Sequence, residues 1–229
     1  MTKNREQKNK ETLFKTGKDK VIMRFTDRDR RLLFWINGHG FATVEQIARW
    51  MKVTPAFSYS RVKKLINAGF LNRQRILHNS KRIHTISKQG KQAIGDELPI
   101  QKKLNLGSYI HDVKLIDLSL DLIDAHGGSF MPERRIRQLK GLSGVGSVGH
   151  IPDGILELET ENKIAIELEL TVKSKERLSK IMNEYAANLE FKEIWYFVEE
   201  DMVKSAISKA AEKAGVYNLQ IKENVNEGS

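Results

Sequence analysis

Three acidic residues in the second half of the sequence have the types and spacing of a metal site. Glu167 follows Asp153 by 14 positions, and Glu169 comes two positions later. Because side chains alternate along a β-strand, Glu167 and Glu169 share a face, where they repel each other unless a cation lies between them. Asp153 and Glu167, with a backbone carbonyl such as that of Leu168, predict an oxygen-ligand site for Mg²⁺ or Mn²⁺.

Two β-strands joined by a short turn are predicted to position these carboxylates. The β-prone runs cover residues 150–159 and 164–173, with Thr-Glu-Asn-Lys between them. Period-two alternation places two sets of side chains on opposite faces of the second strand. The polar set is Glu167, Glu169, Thr171 and Lys173, and the apolar set is Ile166, Leu168 and Leu170.

The other elements of the second half alternate between helix and strand, which is typical of a mixed sheet with flanking helices. Apolar spacing predicts helices over 109–125 and 201–214 and strands over 129–139, 194–198 and 217–221. The intervening Gly141, Gly144, Gly146 and Gly149 lack the Gly-Lys-Ser/Thr of a phosphate loop, so we expect a flexible loop there.

The first half predicts three helices followed by a β-hairpin and a closing helix. Thr26 and Thr43 are predicted N-caps, and Gln46 stands at capping-box spacing from Thr43. The predicted helices cover residues 26–37, 43–51 and 56–68, the strands cover 70–77 and 82–87, and the closing helix begins near Ser87.

This order of elements resembles a winged helix-turn-helix over residues 25–96. The segment RVKKLINAGFLNRQR is similar to the recognition helix and wing of many bacterial members. The resemblance implies that the third helix enters the major groove of DNA and that the wing contacts phosphates; the alternative is a winged helix that contacts protein. The implied DNA-binding residues are Ser58, Tyr59, Ser60, Arg61, Lys63, Lys64, Arg73, Arg75, Lys81 and Arg82.

Positive charge is concentrated in the first half of the chain. Residues 1–100 contain 22 Lys and Arg against 8 Asp and Glu, whereas residues 101–229 contain 17 against 21. A basic half joined to a mildly acidic one predicts a polyanion-binding module beside a module with another task. Residues 1–24 are Lys-rich without periodicity, and we expect a flexible basic arm there.

The acidic segment resembles the PD-(D/E)xK nuclease superfamily. Pro152-Asp153-Gly154 is similar to its PD element, and Glu167-Leu-Glu169 to its (D/E)xK element in the E-x-E variant. The resemblance implies that Asp153 and Glu167 bind the metal ion and that Glu169 completes its shell or orients a water. Lys173 or Lys180 would stabilise the scissile phosphate, Tyr185 would position or attack it, and His111 is similar to a histidine of the exonuclease branch.

Taken together, the motifs resemble the replication-relaxation family, which includes the MobC-type relaxases of mobilizable plasmids. The resemblance covers about residues 25–200. It implies nicking of double-stranded DNA at a transfer or replication origin, with accessory mobilization proteins and a coupling protein as further partners. The three-histidine cluster of the usual relaxases is absent from the sequence, so nicking would use nuclease-type chemistry.

The sequence therefore predicts a two-domain protein of mixed α+β or α/β class. A DNA-binding domain is expected over residues 25–98 and a restriction-endonuclease-like mixed sheet over 104–222, with a homodimer as one possible assembly. The absence of cysteine, of a secretory signal and of a run of ~20 apolar residues predicts a cytoplasmic protein without a membrane span.

Two other functions remain compatible with the residues. A DNA-binding accessory protein or repressor with a degenerate nuclease core is favoured by the absence of lysine at the third motif position. A restriction endonuclease that cuts both strands is the second, and its linear product would distinguish it from a nicking enzyme.

Overall fold

The chain divides into two compact units, residues 1–106 and 107–229. The computed structural model describes residues 12–16, 21–142 and 149–223. Helices and strands occur in both units, so the fold is mixed α+β. Among the described residues, no helix has both the length and the apolar character needed to cross a membrane.

The N-terminal unit contains a three-helix core with a small sheet. Its elements are β1 (Thr12–Thr16), β2 (Val21–Phe25), α1 (Asp27–His39), β3 (Ala42–Thr43), α2 (Val44–Met51), α3 (Pro55–Asn67), β4 (Leu71–Gln74), β5 (Ile83–Ile86) and α4 (Lys88–Ile94). β5 lies between β3 and β4 and is antiparallel to both. Leu32, Ile36, Ile47, Leu65 and Phe70 are among the residues that form the core.

Side-chain caps explain where these helices begin. Thr26 and Asp29 form a capping box on α1, and Thr43 and Gln46 form one on α2. Ser87 accepts a hydrogen bond from the N–H of Gly90 at 2.9 Å and caps α4. Each cap satisfies backbone N–H groups that the first helical turn leaves without partners, and the predicted helix starts are confirmed.

The strands β1 and β2 lie in the segment for which we expected a flexible arm. They pair antiparallel, with Thr12 opposite Phe25 and Thr16 opposite Val21. Apolar residues give both runs β propensity: Leu13 and Phe14 in the first, and Val21, Ile22 and Met23 in the second. The high lysine content of the segment led us to expect a flexible arm instead. The remainder of the expected arm, residues 1–11 and 17–20, lies outside the described residues.

The C-terminal unit contains a five-stranded mixed sheet. Its elements are α5 (Tyr109–His126), β6 (Ser129–Pro132), α6 (Glu133–Leu139), β7 (Gly154–Glu157), β8 (Lys163–Glu169), α7 (Lys175–Ala186), β9 (Glu193–Val198), α8 (Asp201–Ala214) and β10 (Leu219–Glu223). The strand order is β10-β9-β8-β7-β6, with β8 at the centre. β8 is antiparallel to β7 and parallel to β9, so the predicted hairpin and mixed sheet are confirmed.

Helices cover both faces of this sheet. On one face, Leu115, Leu118 and Leu122 of α5 pack in a core with Ile166 and Leu168 of β8. On the other face, residues of α7 and α8 pack in a core with Ala165 of β8. β8 is therefore buried on both sides, and the acidic residues at its end are held by a rigid central strand.

Two predictions for this unit need correction. The predicted strand over 129–139 is a four-residue strand followed by α6, because Pro132 ends the strand and Glu-Arg-Arg-Ile-Arg-Gln-Leu favours a helix. The second acidic strand ends at Glu169, so Lys173 lies in the loop beyond it rather than on the strand face. Of the expected glycine-rich loop, residues 143–148 lie outside the described residues.

Candidate functional site

The register of β7 and β8 brings Asp153 and Glu167 together. The last paired residues are Gly154 and Ile166. One step further along the same register, Asp153 stands opposite Glu167, and opposite residues of an antiparallel pair project to the same face. Glu169 projects to that face two residues later, so the three acidic residues lie around the end of β8 as predicted.

Asp153 replaces the missing part of the β-ladder with its side chain. Its Oδ2 atom accepts a hydrogen bond from the N–H of Leu168 at 2.9 Å. The same Oδ2 atom lies 3.3 Å from Nε2 of His111, and the carbonyl oxygen of Leu168 lies 3.1 Å from that nitrogen. Asp153, the Leu168 carbonyl and His111 therefore converge on one point at the end of β8.

His111 on α5 carries a proton in this arrangement. Burial by itself lowers the pKa of the imidazole, but hydrogen bonds and negative charge from Asp112 and Asp153 outweigh it and raise the pKa to about 10. The ring lies 3.4 Å from Asp112 through Nδ1. A protonated His111 thus places positive charge between Asp153 and the Leu168 carbonyl.

Glu167 is buried, with 3% of its surface exposed, and two donors hold the same oxygen. Nε2 of His150 lies 2.5 Å from Oε1 of Glu167, and the Tyr185 hydroxyl donates to that oxygen as well. Burial raises the pKa of the Glu167 carboxyl, and Asp153 adds to the rise, while the hydrogen bonds from His150 and Tyr185 oppose it. Their donation stabilises a carboxylate that is almost fully buried.

Glu169 is paired with the only lysine that the structure brings to the cluster among its described residues. The Lys173 ammonium group forms a salt bridge with Oε2 of Glu169. Burial lowers the pKa of Lys173, whereas the negative charges of Glu167 and Asp153 raise it in part. Lys173 therefore interacts electrostatically with all three carboxylates, although it lies outside the strand on which we expected it.

The other two predicted catalytic residues both lie on α7, where one is exposed and the other is buried. Lys180 is exposed on α7 and has no ion pair with the acidic residues in the described part of the chain. Tyr185 is 5% exposed, and burial together with the charge of Glu167 raises the pKa of its hydroxyl well above 10. The Tyr185 hydroxyl donates to Glu167 in this structure, and its contact with the scissile phosphate stays a prediction.

Sequence analysis assigned no role to two residues of this cluster. His150 contacts Glu167, and its backbone N–H donates to a carboxylate oxygen of Glu184 on α7. The only sequence signal for His150 is its place three residues before Asp153. Glu184 has none, since its contact depends on how α7 packs against the sheet.

The donor set fits a hard divalent cation, although the side chains are not arranged around one. Among the described residues, no three His, Asp or Glu side chains already form a metal-binding group. Asp153, Glu167 and the Leu168 carbonyl are nevertheless oxygen ligands of the kind that Mg²⁺ and Mn²⁺ prefer. His111 Nε2 lies between Oδ2 of Asp153 and the carbonyl oxygen of Leu168, two oxygens that are also suitable ligands for a cation.

Most of the residues assigned to DNA lie on an exposed basic face of the N-terminal unit. Tyr59, Ser60, Lys63 and Lys64 are exposed on α3. Arg73, Arg75, Lys81 and Arg82 are exposed on β4 and the turn that leads to β5. Tyr59, Lys63, Arg73 and the buried His84 also line a concavity of about 140 Å³ between α3 and the hairpin.

Two of the assigned residues serve the core of this unit instead. Ser58 is 0% exposed, and its hydroxyl donates to the carbonyl of Val44 at 3.2 Å. The Arg61 guanidinium donates to Asp29 and to the carbonyl of Arg24. The expectation that Ser58 contacts DNA is wrong, since its side chain is fully buried. The Arg61 guanidinium is engaged within the protein, and its contact with DNA stays a prediction.

Comparison of the chain with models of known protein families gives no match, and comparison with curated proteins gives none either.

Proposed function

We propose that the chain is a DNA-binding, Mg²⁺- or Mn²⁺-dependent endonuclease that nicks double-stranded DNA at a transfer or replication origin. The observation that carries the proposal is the convergence of Asp153, the Leu168 carbonyl and His111 at the end of β8, with Glu167 beside them. Strand β8 between an antiparallel and a parallel neighbour, with helices on both faces, agrees with a PD-(D/E)xK-like core.

Each residue of the cluster has a role in this proposal. Asp153, Glu167 and the Leu168 carbonyl would hold the cation, and His111 keeps Asp153 and the Leu168 carbonyl directed at the same point. When bound, such an ion supplies a nucleophilic water at neutral pH and stabilises charge on the phosphate. Lys173 neutralises Glu169 and adds positive charge beside the phosphate, and Tyr185 orients Glu167.

The N-terminal unit supplies DNA binding in this proposal. Three helices followed by a hairpin agree with a winged helix-turn-helix, and the exposed cations of α3 and the hairpin suit the phosphates of a duplex. We infer that α3 reads the origin and that the hairpin holds the backbone. Accessory mobilization proteins and a coupling protein are the partners that this function would require.

A supercoiled-plasmid assay tests the proposal. The full chain is incubated with plasmid and Mn²⁺ or Mg²⁺, and nicked circles are the expected product. Asp153→Asn and Glu167→Gln should abolish nicking, whereas Glu159→Gln, an exposed carboxylate on the β7–β8 turn, should leave it unchanged. Equal activity in all three variants would overturn the assignment of the site.

A second function is favoured by one observation. Each carboxylate already has its own partner: Asp153 has His111, Glu167 has His150 and Tyr185, and Glu169 has Lys173. A cluster neutralised in this way is also what a DNA-binding accessory protein or repressor with a degenerate core would contain. Origin binding without nicking in either metal would favour this function.

A further inference from the structure

His150 lies outside the helices and strands, yet three separate contacts hold it in place. Its backbone N–H donates to Glu184, and its ring meets the Tyr185 ring edge-on, with 5.2 Å between the ring centroids. Nε2 then lies 2.5 Å from Oε1 of Glu167. Backbone, ring face and ring nitrogen are therefore all fixed, and the fixed nitrogen is aimed at a carboxylate.

The contact with Glu167 uses one of its two oxygens. His150 and Tyr185 both meet Oε1, which leaves Oε2 as the oxygen that neither of them contacts. Because the carboxylate group is rigid and planar, fixing Oε1 also restricts the direction in which Oε2 points. This is how hydrogen-bonded neighbours orient ligands in metal sites, where their loss costs about 10–100-fold in affinity or activity.

The two donors differ in how they are attached. Tyr185 belongs to α7 and to the buried core, where it packs against Phe191. His150 belongs to the short segment that leads into Asp153, and its side chain is 19% exposed. A single segment of four residues, His150 to Asp153, thus contributes one acidic ligand and holds the other.

We propose that His150 is a positioning residue for divalent-cation binding, which fixes Glu167 through Oε1 so that Glu167 and Asp153 bind one ion together. The inference rests on the proposed metal-dependent function and adds a residue that the motif resemblance does not include. His150 does not touch the ion or the DNA. It acts through Glu167, and its effect appears first in metal affinity.

A matched pair of substitutions separates hydrogen bonding from packing. The amide nitrogen of glutamine in His150→Gln reaches about as far as Nε2 of histidine, whereas the amide of His150→Asn is too short to reach Glu167. Mn²⁺ binding is measured without DNA by electron paramagnetic resonance on the full chain. His150→Asn should weaken binding about 10–100-fold, and His150→Gln should restore most of it. His78→Leu, at an exposed histidine of the N-terminal unit, is the control.

A second measurement needs no metal. In protein labelled with ¹⁵N-histidine, the Nε2-bound proton of His150 should give a downfield resonance that disappears in Glu167→Ala. Tyr185→Phe removes the other donor and should weaken Mn²⁺ binding even if His150→Asn proves unstable.

The outcomes are distinguishable. A wild-type chain that binds no Mn²⁺ overturns the proposed function and this inference together. A wild-type chain that binds Mn²⁺ no better than folded His150→Asn overturns the inference alone. Equal weakening by His150→Asn and His150→Gln also overturns it, because reach to Glu167 would then be irrelevant.

Discussion

Arg61 of α3 and Asp29 of α1 form an ion pair in which Nε of Arg61 lies 2.6 Å from Oδ1 of Asp29. Asp29 is almost fully buried, and it also accepts a hydrogen bond from the Thr26 N–H at 2.7 Å. One carboxylate thus caps α1 and joins it to α3. The helix that carries the basic face is held to its unit through a charge that sequence analysis had assigned to DNA.

Substitution of Asp29 should therefore destabilise the N-terminal unit. Asp29→Ala leaves the Arg61 guanidinium without its carboxylate and removes the capping box, and loss of one partner of a buried pair costs about 3 kcal/mol or more. Urea denaturation followed by tryptophan fluorescence measures this change. Asp27→Ala, at an exposed position of the same helical turn, should cost much less, and equal losses would contradict the proposed role of the pair.

The exposed cations of the basic face should contribute to DNA affinity in a salt-dependent way. Lys64→Ala or Arg73→Ala is expected to remove one phosphate contact. The slope of log K against log salt is negative, and each substitution should make it less steep by about 1. Fluorescence anisotropy with labelled duplex at several salt concentrations measures the slope. Lys88→Ala, an exposed cation of α4, is the control. Slopes that match the wild type in every variant would mean that this face does not bind DNA.

The two candidate lysines should differ in their effect on nicking. Lys173 is half-buried beside Glu169, whereas Lys180 is exposed on α7. Loss of a charge that stabilises the reacting phosphate costs about 100–1000-fold in rate, so Lys173→Met should reduce nicking by that factor. Lys180→Met should change it little. Circular dichroism checks that both variants fold, and a larger effect of Lys180→Met would reverse the assignment.

The N-terminal unit should lose stability in acid because of His39. Burial lowers the pKa of His39 from its ordinary value of 6.5 to about 3. Between these two values the unfolded chain binds a proton that the folded chain does not, so stability falls as the pH decreases from 6.5 towards 3, by up to about 1.4 kcal/mol per pH unit. His84, whose pKa burial also lowers, acts in the same direction.

The contribution of His39 is isolated by comparison with His39→Gln, which has no proton to gain in this range. Urea denaturation at pH 7 and at pH 4.5 should give a smaller loss of stability in the variant than in the wild type. Identical losses would show that His39 does not take up a proton on unfolding.

Local signals in the sequence were sufficient for most helices and for the central hairpin. Thr26, Thr43 and Ser87 cap helices through contacts within three residues, which spacing alone reveals. Alternation also placed Glu167 and Glu169 on one face, since the two-residue period of a strand is independent of its neighbours.

The failures concern contacts between elements that are distant in the sequence. Arg61 turns towards Asp29, 32 residues away, and the periodicity of α3 contains no information about that partner. Ser58 precedes the inward-facing Val62 by one helical turn, so helical periodicity could have predicted that Ser58 is buried. His150 and Glu184 join the cluster through the packing of α7, which no local motif encodes.

The difference in length between β7 and β8 has its origin in a proline ring. The carbonyl of Asp153 accepts a hydrogen bond from the backbone N–H of Glu133, next to β6. Because the backbone groups of successive strand residues point to opposite neighbours, those of the preceding residue point towards β8. That residue is Pro152, the next in register with Leu168, and it has no N–H to give to the Leu168 carbonyl. The β7–β8 ladder ends at this point, so the absence of one N–H group in Pro152 leaves the Leu168 carbonyl to be met by the His111 side chain instead of by the neighbouring strand.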